Sequence, residues 1–434
     1  MLLEHHPISL SQEFQDILQY VEESRDSFLI TGKAGTGKST LLSIMRRTTR
    51  KRMAVVAPTG IAALNVKGQT VHSFFRLPPK MIMPSEIKMS KNPKLYRNMD
   101  ILVIDEISMV RADLLDNIDR FLRINRKNAE PFGGVQVIFF GDMFQLPPVV
   151  SSAFEKQVFR DRYDSPYFFS ANVMQELEMP LIELNKVYRQ KDRGFVSLLD
   201  RVRTNTLDQD DLNVLNSRVV RHLTDEDLFI TLTGSNFSAE AINKSELAKL
   251  PGDTFKYIAD VEGTFQASRY PADQLLQLKE GAQVIFVKND PERRYVNGTL
   301  GKVTAISNDE ITVATEDGQG RQSTIPLHRE EWEILKYKVD KDNPKKFTTE
   351  VVGVFRQYPI KLAWAITIHK SQGQTFDKVR IDLGRGAFEF GQTYVALSRC
   401  RTLEGIELSK PLTPRDIMSD ERISEYYQSK RFYW

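Results

Sequence analysis

The sequence predicts an α/β protein with two parallel-sheet units and a small β-rich module inserted into the second unit. Short apolar runs of the kind that form buried parallel strands recur along the chain, with helical patterns between them. A glycine-rich loop links the first of these runs directly to a helix. Residues 301–327 instead alternate apolar and polar side chains between turn signals, which is typical of antiparallel strands.

Length and composition agree with this organisation. The 434-residue chain is long enough for about two or three domains. Its net charge of +3 is too small to indicate nucleic-acid binding, which would need a local basic or aromatic groove. The single cysteine, Cys400, excludes an intrachain disulfide and suits a reducing compartment. Because neither a signal-peptide pattern nor a long apolar run is present, we expect a soluble, cytoplasmic protein.

The first unit begins with a helical pattern and a strand. Residues 10–23 have the apolar spacing of an amphipathic helix, with Ser11 as a plausible N-cap. Gln15 on this helix could read the edge of an adenine, although most helical glutamines are simply solvated. The apolar run Phe28 to Ile30 follows as the first buried strand.

The segment Gly32 to Ser39 fits the G-x-x-x-x-G-K-[ST] pattern of a phosphate-binding loop. Its glycines allow backbone angles that turn several N–H groups inward, and the following helix adds its positive end. Lys38 can reach the β- and γ-phosphate oxygens, and the Ser39 hydroxyl can hold Mg²⁺. The loop therefore predicts binding of a nucleoside triphosphate.

The second strand, Met53 to Pro58, leads into a segment where polar and aromatic residues are interleaved. Loops after the carboxyl ends of parallel strands are where α/β sheets bind ligands. Polar side chains of this segment could bond a sugar-phosphate backbone, namely those of Thr59, Asn65, His72 and Ser73. Phe74 or Phe75 could stack a base. The alternative is that His72 is structural and both phenylalanines belong to the core.

Two further strands supply candidate catalytic groups. Ile101 to Glu106 ends in two acids, as in a Walker B strand. Asp105 would belong to the Mg²⁺ shell, and Glu106 would orient or deprotonate the attacking water. The strand Val135 to Asp142 is followed closely by Gln145, which could sense a γ-phosphate.

Near residue 180 the pattern starts again without a second phosphate loop. We predict a helix over Pro180–Gln190 and strands over Leu228–Thr233, Gln283–Val287 and Val379–Leu383. The inserted module has turn signals at Ser307–Asp309 and Asp317–Gly320.

With these pieces assembled, the chain resembles the petite-integration-frequency (PIF) family of superfamily 1 helicases. The ordered strings GKAGTGKST, APTGIAALNV, GQTVHSFF, VIDEISMV, PFGGVQVIFFGDMFQLPPV, VYRQ, VNGTLGKV, AITIHKSQGQTF and GQTYVALSR carry the resemblance. It covers nearly the whole chain, and its length favours a compact bacterial-type member.

The resemblance implies two RecA-like cores with ATP between them. Residues 1–180 would form the first core, with a small DNA-facing wedge insertion at 64–76. Residues 181–298 and 356–434 would form the second, and 299–355 an SH3-like β-barrel insertion. We expect single-stranded DNA to lie across both cores.

The resemblance also implies the site residues. The ATP-binding set is Gln15, Gly32, Ala34, Gly35, Thr36, Gly37, Lys38, Ser39, Thr40 and Gly373. The catalytic set is Lys38, Asp105, Glu106, Gln145, Arg189 and Arg399, with Ser39 and Asp105 on Mg²⁺. The DNA-binding set is Pro58, Thr59, Gly60, Asn65, His72, Ser73, Phe75, His369, Lys370 and Ser371.

The function implied is ATP-dependent 5′→3′ translocation on single-stranded DNA by a monomer, with unwinding at single-strand/duplex junctions or structured DNA such as G-quadruplexes. Replication, repair, recombination and telomere-type maintenance are the pathways it implies. Arg189 and Arg399 could stabilise the transferring phosphate when the cleft closes. The alternatives are an RNA-directed helicase, or an ATP-binding switch or scaffold that does not translocate.

Overall fold

The structure is a computed structural model that describes residues 10–150, 152–220, 228–316, 321–340 and 347–430. The first unit contains α1 (Gln12–Glu23), β1 (Phe28–Gly32), α2 (Lys38–Thr48), β2 (Met53–Ala57), α3 (Gly60–Asn65), β3 (Gln69–Thr70), α4 (Val71–Phe75), α5 (Lys94–Asn98), β4 (Ile101–Ile104), α6 (Ala112–Arg126), β5 (Gln136–Phe140), α7 (Ala153–Arg162) and β6 (Leu181–Leu184). Its strands form one parallel sheet in the order β3-β2-β4-β5-β1-β6. Strands β1, β2, β4 and β5 are buried along their whole length, as their apolar runs predict.

The second unit begins with α8 (Arg193–Thr204), α9 (Gln209–Asn216), β7 (Ile230–Thr233) and α10 (Asn236–Lys249). The antiparallel module follows, with β8 (Phe255–Ile258), β9 (Asp260–Gly263), β10 (Leu275–Leu278), β11 (Gln283–Phe286), β12 (Leu300–Ile306), β13 (Ile311–Glu316), β14 (Gln322–Leu327), β15 (Glu330–Val339), β16 (Phe347–Gln357) and β17 (Ile360–Leu362). The second unit resumes with β18 (Ala365–Thr367), β19 (Val379–Asp382), α11 (Gln392–Leu397), β20 (Ile406–Leu408) and α12 (Glu421–Ser429). Its parallel sheet has the order β18-β7-β19-β20.

Two sequence predictions about these elements are wrong. The segment predicted as a helix over Pro180–Gln190 begins with β6, which pairs with β1, so the first sheet extends beyond residue 180. Strand β11, assigned to the second parallel sheet, pairs antiparallel with β12 and β17. The module therefore spans about residues 255–362 rather than 299–355, because β8, β9 and β10 also join its sheets. The predicted turn at Asp317–Gly320 lies outside the described residues.

The hairpin of β15 and β16 connects the module to the first unit. The Tyr337 hydroxyl accepts a hydrogen bond from the backbone N–H of Val55 at 3.1 Å. The Gln69 side chain donates to the carbonyl of Leu335 at 2.5 Å. The Tyr337 ring also packs edge-on against Phe74, with centroids 5.8 Å apart. The hairpin is therefore docked beside the first sheet.

The last helix, α12, returns to the first unit. Ile423 is buried in the first core, and the Tyr426 ring stacks on Phe169 with centroids 4.5 Å apart. The Tyr167 hydroxyl donates to Asp420, just before the helix, at 3.1 Å. The second unit is thus attached to the first at the end of the chain as well as through residues 185–192. Of the helices described, none has the length and apolar character that crossing a membrane requires.

Candidate active site

The predicted phosphate loop connects β1 to α2 and opens towards the second unit. Gly35 and Gly37 have φ angles of 82° and 88°, in the left-handed region that glycine adopts readily. A side chain at Gly35 would collide with Arg189, and one at Gly37 would approach Phe14 to 3.1 Å. Both glycines are therefore required by backbone angle and by space. The loop ends at the N-terminus of α2, where free N–H groups and the helix dipole favour an anion.

Lys38 lies inside this loop. Its ammonium donates to the carbonyl of Gly32 at 2.6 Å and to that of Lys33 at 3.0 Å. Burial lowers its pKa, and the charges of Asp142 and Glu106 oppose that shift. Thr36 closes the loop by donating its hydroxyl to Lys33. Ser39 and Thr40, at the start of α2, are exposed beside it.

Asp105 and Glu106 follow β4 and face the loop. Burial and the neighbouring Glu106 charge raise the pKa of Asp105 to about 7. Burial also raises the pKa of Glu106, while Lys38 counteracts it. Two desolvated carboxylates side by side favour a bound cation, and Mg²⁺ prefers oxygen ligands. The carboxylate of Asp105 and the hydroxyl of Ser39 therefore fit the Mg²⁺ site that the sequence predicts.

A buried polar network links the first unit to the second behind Gln145. The Gln145 amide donates to Asp142 at 3.3 Å, and Asp142 also accepts from Arg203 of α8 at 3.2 Å and from the Tyr394 hydroxyl of α11 at 3.1 Å. Tyr394 in turn accepts from the backbone N–H of Ala34 in the loop at 2.9 Å. Although burial would raise the pKa of Asp142, Arg203 and Lys38 hold it below its ordinary value. Sequence reasoning missed this network, because its members are far apart in the chain.

The two predicted arginines lie close to the loop but differ in setting. Arg189 is in the connection between the units and donates to the carbonyl of Ser398 at 3.0 Å. Arg399 is fully buried and donates to the carbonyl of Val395 at 2.9 Å. Burial lowers the pKa of both side chains, and Arg399 lowers that of Arg189 further. Two cations are thus held beside the loop, with Arg189 the more accessible.

The base side of the nucleotide site is less enclosed. Gln15 lies in the first turn of α1 and donates to the carbonyl of Leu10 at 3.0 Å. Tyr188, which sequence reasoning missed, is 50% exposed, and its ring would be 3.7 Å from a Cβ at Gly37. The available signal was that Tyr188 is the aromatic residue of the VYRQ string itself, directly before Arg189. Gly373 is exposed with a φ of 77°.

The first-unit residues predicted to bind DNA share one face at the ends of β2 and β3. Pro58, Gly60 and His72 are half-buried, whereas Asn65 and Ser73 are exposed. The Thr59 hydroxyl caps α3 by accepting from the N–H of Ala62 at 3.2 Å. The neighbouring cavity is lined by both the first unit and the hairpin, including Gly60, Gln69, Ser73, Arg269, Glu333 and Leu335. Arg269, which sequence reasoning missed, lies directly over Gly60.

The prediction that Phe75 stacks a base is wrong. Its side chain is 0% exposed and packs with Phe74, Tyr96 and Phe121 in an aromatic cluster. The alternative reading from the sequence, that both phenylalanines belong to the core, is correct. Alternation of aromatic and polar residues did not distinguish a buried face of α4 from an exposed one.

The second-unit residues predicted to bind DNA follow β18. Lys370 is exposed and His369 is half-buried, with its Nε2 atom 3.1 Å from Glu389. Ser371 is fully buried and donates its hydroxyl to the carbonyl of Ile368 at 2.7 Å. The Ser371 side chain therefore supports the turn after β18 and does not reach a DNA groove, which corrects its predicted role.

A phosphate loop, adjacent strand-end carboxylates and arginines from a second parallel-sheet unit define a P-loop nucleoside triphosphatase. Comparison with known proteins identifies the family: PIF1-like helicase matches residues 9–211, and the 2B domain of DNA helicase Pif1 matches residues 266–306. The chain is 30% identical to the ATP-dependent DNA helicase RRM3 of Saccharomyces cerevisiae over 97% of its own length and 68% of that protein. It is 33% identical to human ATP-dependent DNA helicase PIF1, covering 97% of this chain but 64% of that protein. The chain belongs to the PIF1-like helicase family.

Solved structures agree on the fold. Pif1 from a Bacteroides species in complex with ADP-AlF4 is 38% identical, with a TM-score of 0.89 over 97% of this chain and 96% of that one. The same helicase bound to single-stranded DNA has a TM-score of 0.70 over the same shares. The two parallel-sheet units are therefore the RecA-like cores of Pif1 helicases, and the sequence prediction of fold class is confirmed.

Proposed function

We propose that the protein is an ATP-dependent DNA helicase that moves 5′→3′ along single-stranded DNA and separates strands at single-strand/duplex junctions. The observation that carries this proposal is the position of the phosphate loop. It lies beside Gln145 of its own unit and close to Arg189 and Arg399, at an interface that both units build. Binding of a nucleotide alone would not need this arrangement, whereas hydrolysis coupled to motion between the units would.

The chain's own residues divide the hydrolytic work. The loop N–H groups and Lys38 bind the phosphates, and Glu106 accepts the proton of the attacking water. Gln145, held by Asp142, positions that water or the γ-phosphate. Arg189 and Arg399 stabilise the charge of the transition state. Mg²⁺, held by Ser39 and Asp105, would neutralise phosphate charge and set the geometry of transfer.

The base of the nucleotide would lie between α1 and the connection of the units. The exposed Tyr188 ring offers a stacking surface there, and the Gln15 amide can pair with an adenine edge. The other predicted ATP-binding residues would contact the nucleotide from three places: Ala34 and Thr36 in the loop, Thr40 in α2, and Gly373 after β18 of the second unit. DNA would cross the first unit at Thr59, Gly60, Asn65 and His72, and the second at His369 and Lys370.

A strand-displacement assay tests the proposal. Duplexes of equal length carry a 5′ tail, a 3′ tail or no tail, and unwinding is followed with ATP and Mg²⁺. We expect unwinding of the 5′-tailed duplex alone, with Lys38→Ala as the inactive control. Preference for the 3′ tail would contradict the direction, and preference for RNA tails would favour an RNA-directed helicase. ATP binding without DNA-stimulated hydrolysis would indicate a switch or scaffold.

Finer aspects of the proposal rest on the family. Adding a G-quadruplex behind the 5′ tail tests action on structured DNA, and sedimentation with and without DNA tests whether one copy acts. A monomer in solution is proposed here, while a solved Pif1 structure concerns DNA unwinding at forked duplex DNA by two coordinating Pif1 helicases. The family also supports an intracellular role in replication, repair, recombination or telomere-type maintenance.

A further inference from the structure

Two phenylalanines are strongly exposed at one end of the second parallel sheet. Phe388 is 66% exposed and lies in the loop between β19 and α11. Phe237 is 83% exposed and lies in the first turn of α10, directly after β7. A single exposed apolar residue is ordinary on a protein surface. The position of these two rings is what distinguishes them.

Both rings lie where neighbouring parallel strands end. The ring of Phe388 is over the backbone at Gly234, because its Cε1 atom would be 2.9 Å from a Cβ placed there. Gly234 follows β7, and the carbonyl of Thr233 accepts from the N–H of Ile368 at 2.9 Å. Ile368 immediately precedes His369. The Phe388 ring therefore adjoins the HKS segment through which DNA is proposed to contact the second unit, and Phe237 follows β7 at the same edge of the sheet.

A cation adjoins the same face, since Lys370 is exposed next to His369. Glu389 adjoins Phe388, but its side chain is only 18% exposed and turned towards His369. The outward groups named here are thus two aromatic rings and one ammonium. Stacking rings beside backbone-tracking cations are the combination that proteins use to bind single-stranded nucleic acids.

We propose that Phe388 and Phe237 stack on bases of single-stranded DNA at the second unit, with Lys370 near the phosphates. This inference deepens the proposed function and rests on it. It transfers to the second unit the stacking role that the sequence suggested for Phe75. The first unit would then hold the strand mainly by polar contacts, and the second unit would hold it by its bases.

Phe388→Leu and Phe237→Leu test the proposal, because leucine keeps an apolar side chain but removes the ring face. Affinity is measured by fluorescence anisotropy for an oligothymidine and for the same strand with consecutive abasic residues. Stacking is worth about 1–3 kcal/mol per base, or roughly 5-fold to 150-fold in affinity. We expect each leucine variant to lose at least about fivefold on the complete strand. Its affinity for the abasic strand should equal that of the parent protein.

Three controls make the result specific. Phe388→Tyr and Phe237→Tyr keep the ring and should bind like the parent protein. Phe154→Leu changes an equally exposed phenylalanine, 67% exposed on α7 of the first unit, and should leave affinity unchanged. Thermal unfolding of every variant checks the fold. In addition, Gly234→Ala should displace the Phe388 ring. This variant keeps the ring but should lose as much DNA affinity as Phe388→Leu.

The outcomes separate the two proposals. Full affinity of both leucine variants for the complete strand would overturn the stacking role while leaving the helicase proposal intact. An equal loss on the complete and abasic strands would also overturn it, since the rings would then act on the fold or the backbone. Failure of the parent protein to bind single-stranded DNA would instead overturn the proposed function.

Discussion

Glu106 combines an unusual backbone with a position in the proposed catalytic site. Its φ of 50° lies in the left-handed region, which costs a residue other than glycine about 1–3 kcal/mol. Its carboxylate faces Lys38 and is desolvated, so its pKa is raised by burial and lowered by that ammonium. Strain and burial at one residue are typical of a site where geometry is set for chemistry.

Glu106→Gln should therefore separate binding from turnover. The amide keeps the size of the side chain but cannot accept a proton from water, so we expect hydrolysis to fall about 10²- to 10⁴-fold. Nucleotide affinity should remain near that of the parent protein, whereas Lys38→Ala should lose both. Phosphate release and binding of a fluorescent ATP analogue measure the two effects. Hydrolysis at the parent rate would show that another group activates the water.

At the level of single residues, the sequence predicted which side chains lie near the loop better than it predicted which are exposed. The loop and the strand-end acids are local patterns, and the structure brings Lys38, Glu106 and Gln145 together as expected. Phe75 and Ser371 have the right residue types but are buried, because their exposure depends on which elements cover them. Arg203 gave no signal, since its partner Asp142 is 61 residues away.

At the level of elements, the β15–β16 hairpin lies over the face of the first unit that is predicted to bind DNA. It lines the same cavity as Gly60 and Ser73, and Tyr337 fixes it to the edge of the sheet. DNA binding at Thr59 and Gly60 would thus compete with hairpin docking.

Tyr337→Phe should raise the affinity for single-stranded DNA. The variant keeps the ring contact with Phe74 but leaves the Val55 N–H without its buried acceptor, which weakens docking by about 1–3 kcal/mol. We expect a several-fold gain in affinity by anisotropy, with little change in the melting temperature of the first unit. Tyr358→Phe, whose hydroxyl bonds Asp309 within the module, is the matched control. Unchanged or weaker binding by Tyr337→Phe would show that the hairpin does not obstruct DNA.

The boundaries of the module show where sequence patterns stop being sufficient. Alternation predicted β12, β13 and β14 correctly. The short apolar run of β11 is equally compatible with a parallel core strand, and only its pairing with β12 and β17 decides the case. Strand β6 was mistaken for a helix for a similar reason. Its four residues are too few to show the periodicity of a strand, and its conformation is decided by its pairing with β1.

An excision of the module that follows the observed strand boundaries should leave the two parallel-sheet units folded. Replacing residues 251–363 by a short Gly/Ser linker joins the end of α10 to β18, which already pack together. Closure entropy grows slowly with length, so the parallel sheets should fold and nucleotide should bind, while strand separation is lost. Replacing only 299–355 would remove β12 from β11 and should lower the melting temperature more. Circular dichroism melts compare the two, and greater stability of the shorter excision would contradict these boundaries.

At the scale of the whole molecule, Asp142 and Arg203 couple the units. The pair is buried, and the guanidinium also lies over the Phe144 ring at 4.2 Å. Losing one member of a buried ion pair leaves the other charge without its partner, which costs about 3–5 kcal/mol.

Arg203→Ala should therefore destabilise the protein by about that amount in urea unfolding, with reduced hydrolysis because Gln145 loses its orientation. Arg201→Ala on the same helix breaks a more exposed pair with Asp211 and should cost at most about 1 kcal/mol. Equal effects of the two variants would mean that the buried pair does not hold the units together.

The return of α12 to the first unit constrains how the ATP cleft can work. Two rigid units that are attached at two separate points can rotate freely only about the line that joins those points. The connecting residues 185–192 form one of these attachments. The stack of Tyr426 of α12 on Phe169 of the first unit forms the other. In the proposed translocation, the two units would therefore rotate mainly about the line that joins these attachments, and the displacement that this rotation gives at the predicted DNA face would limit how far the strand advances for each nucleotide hydrolysed.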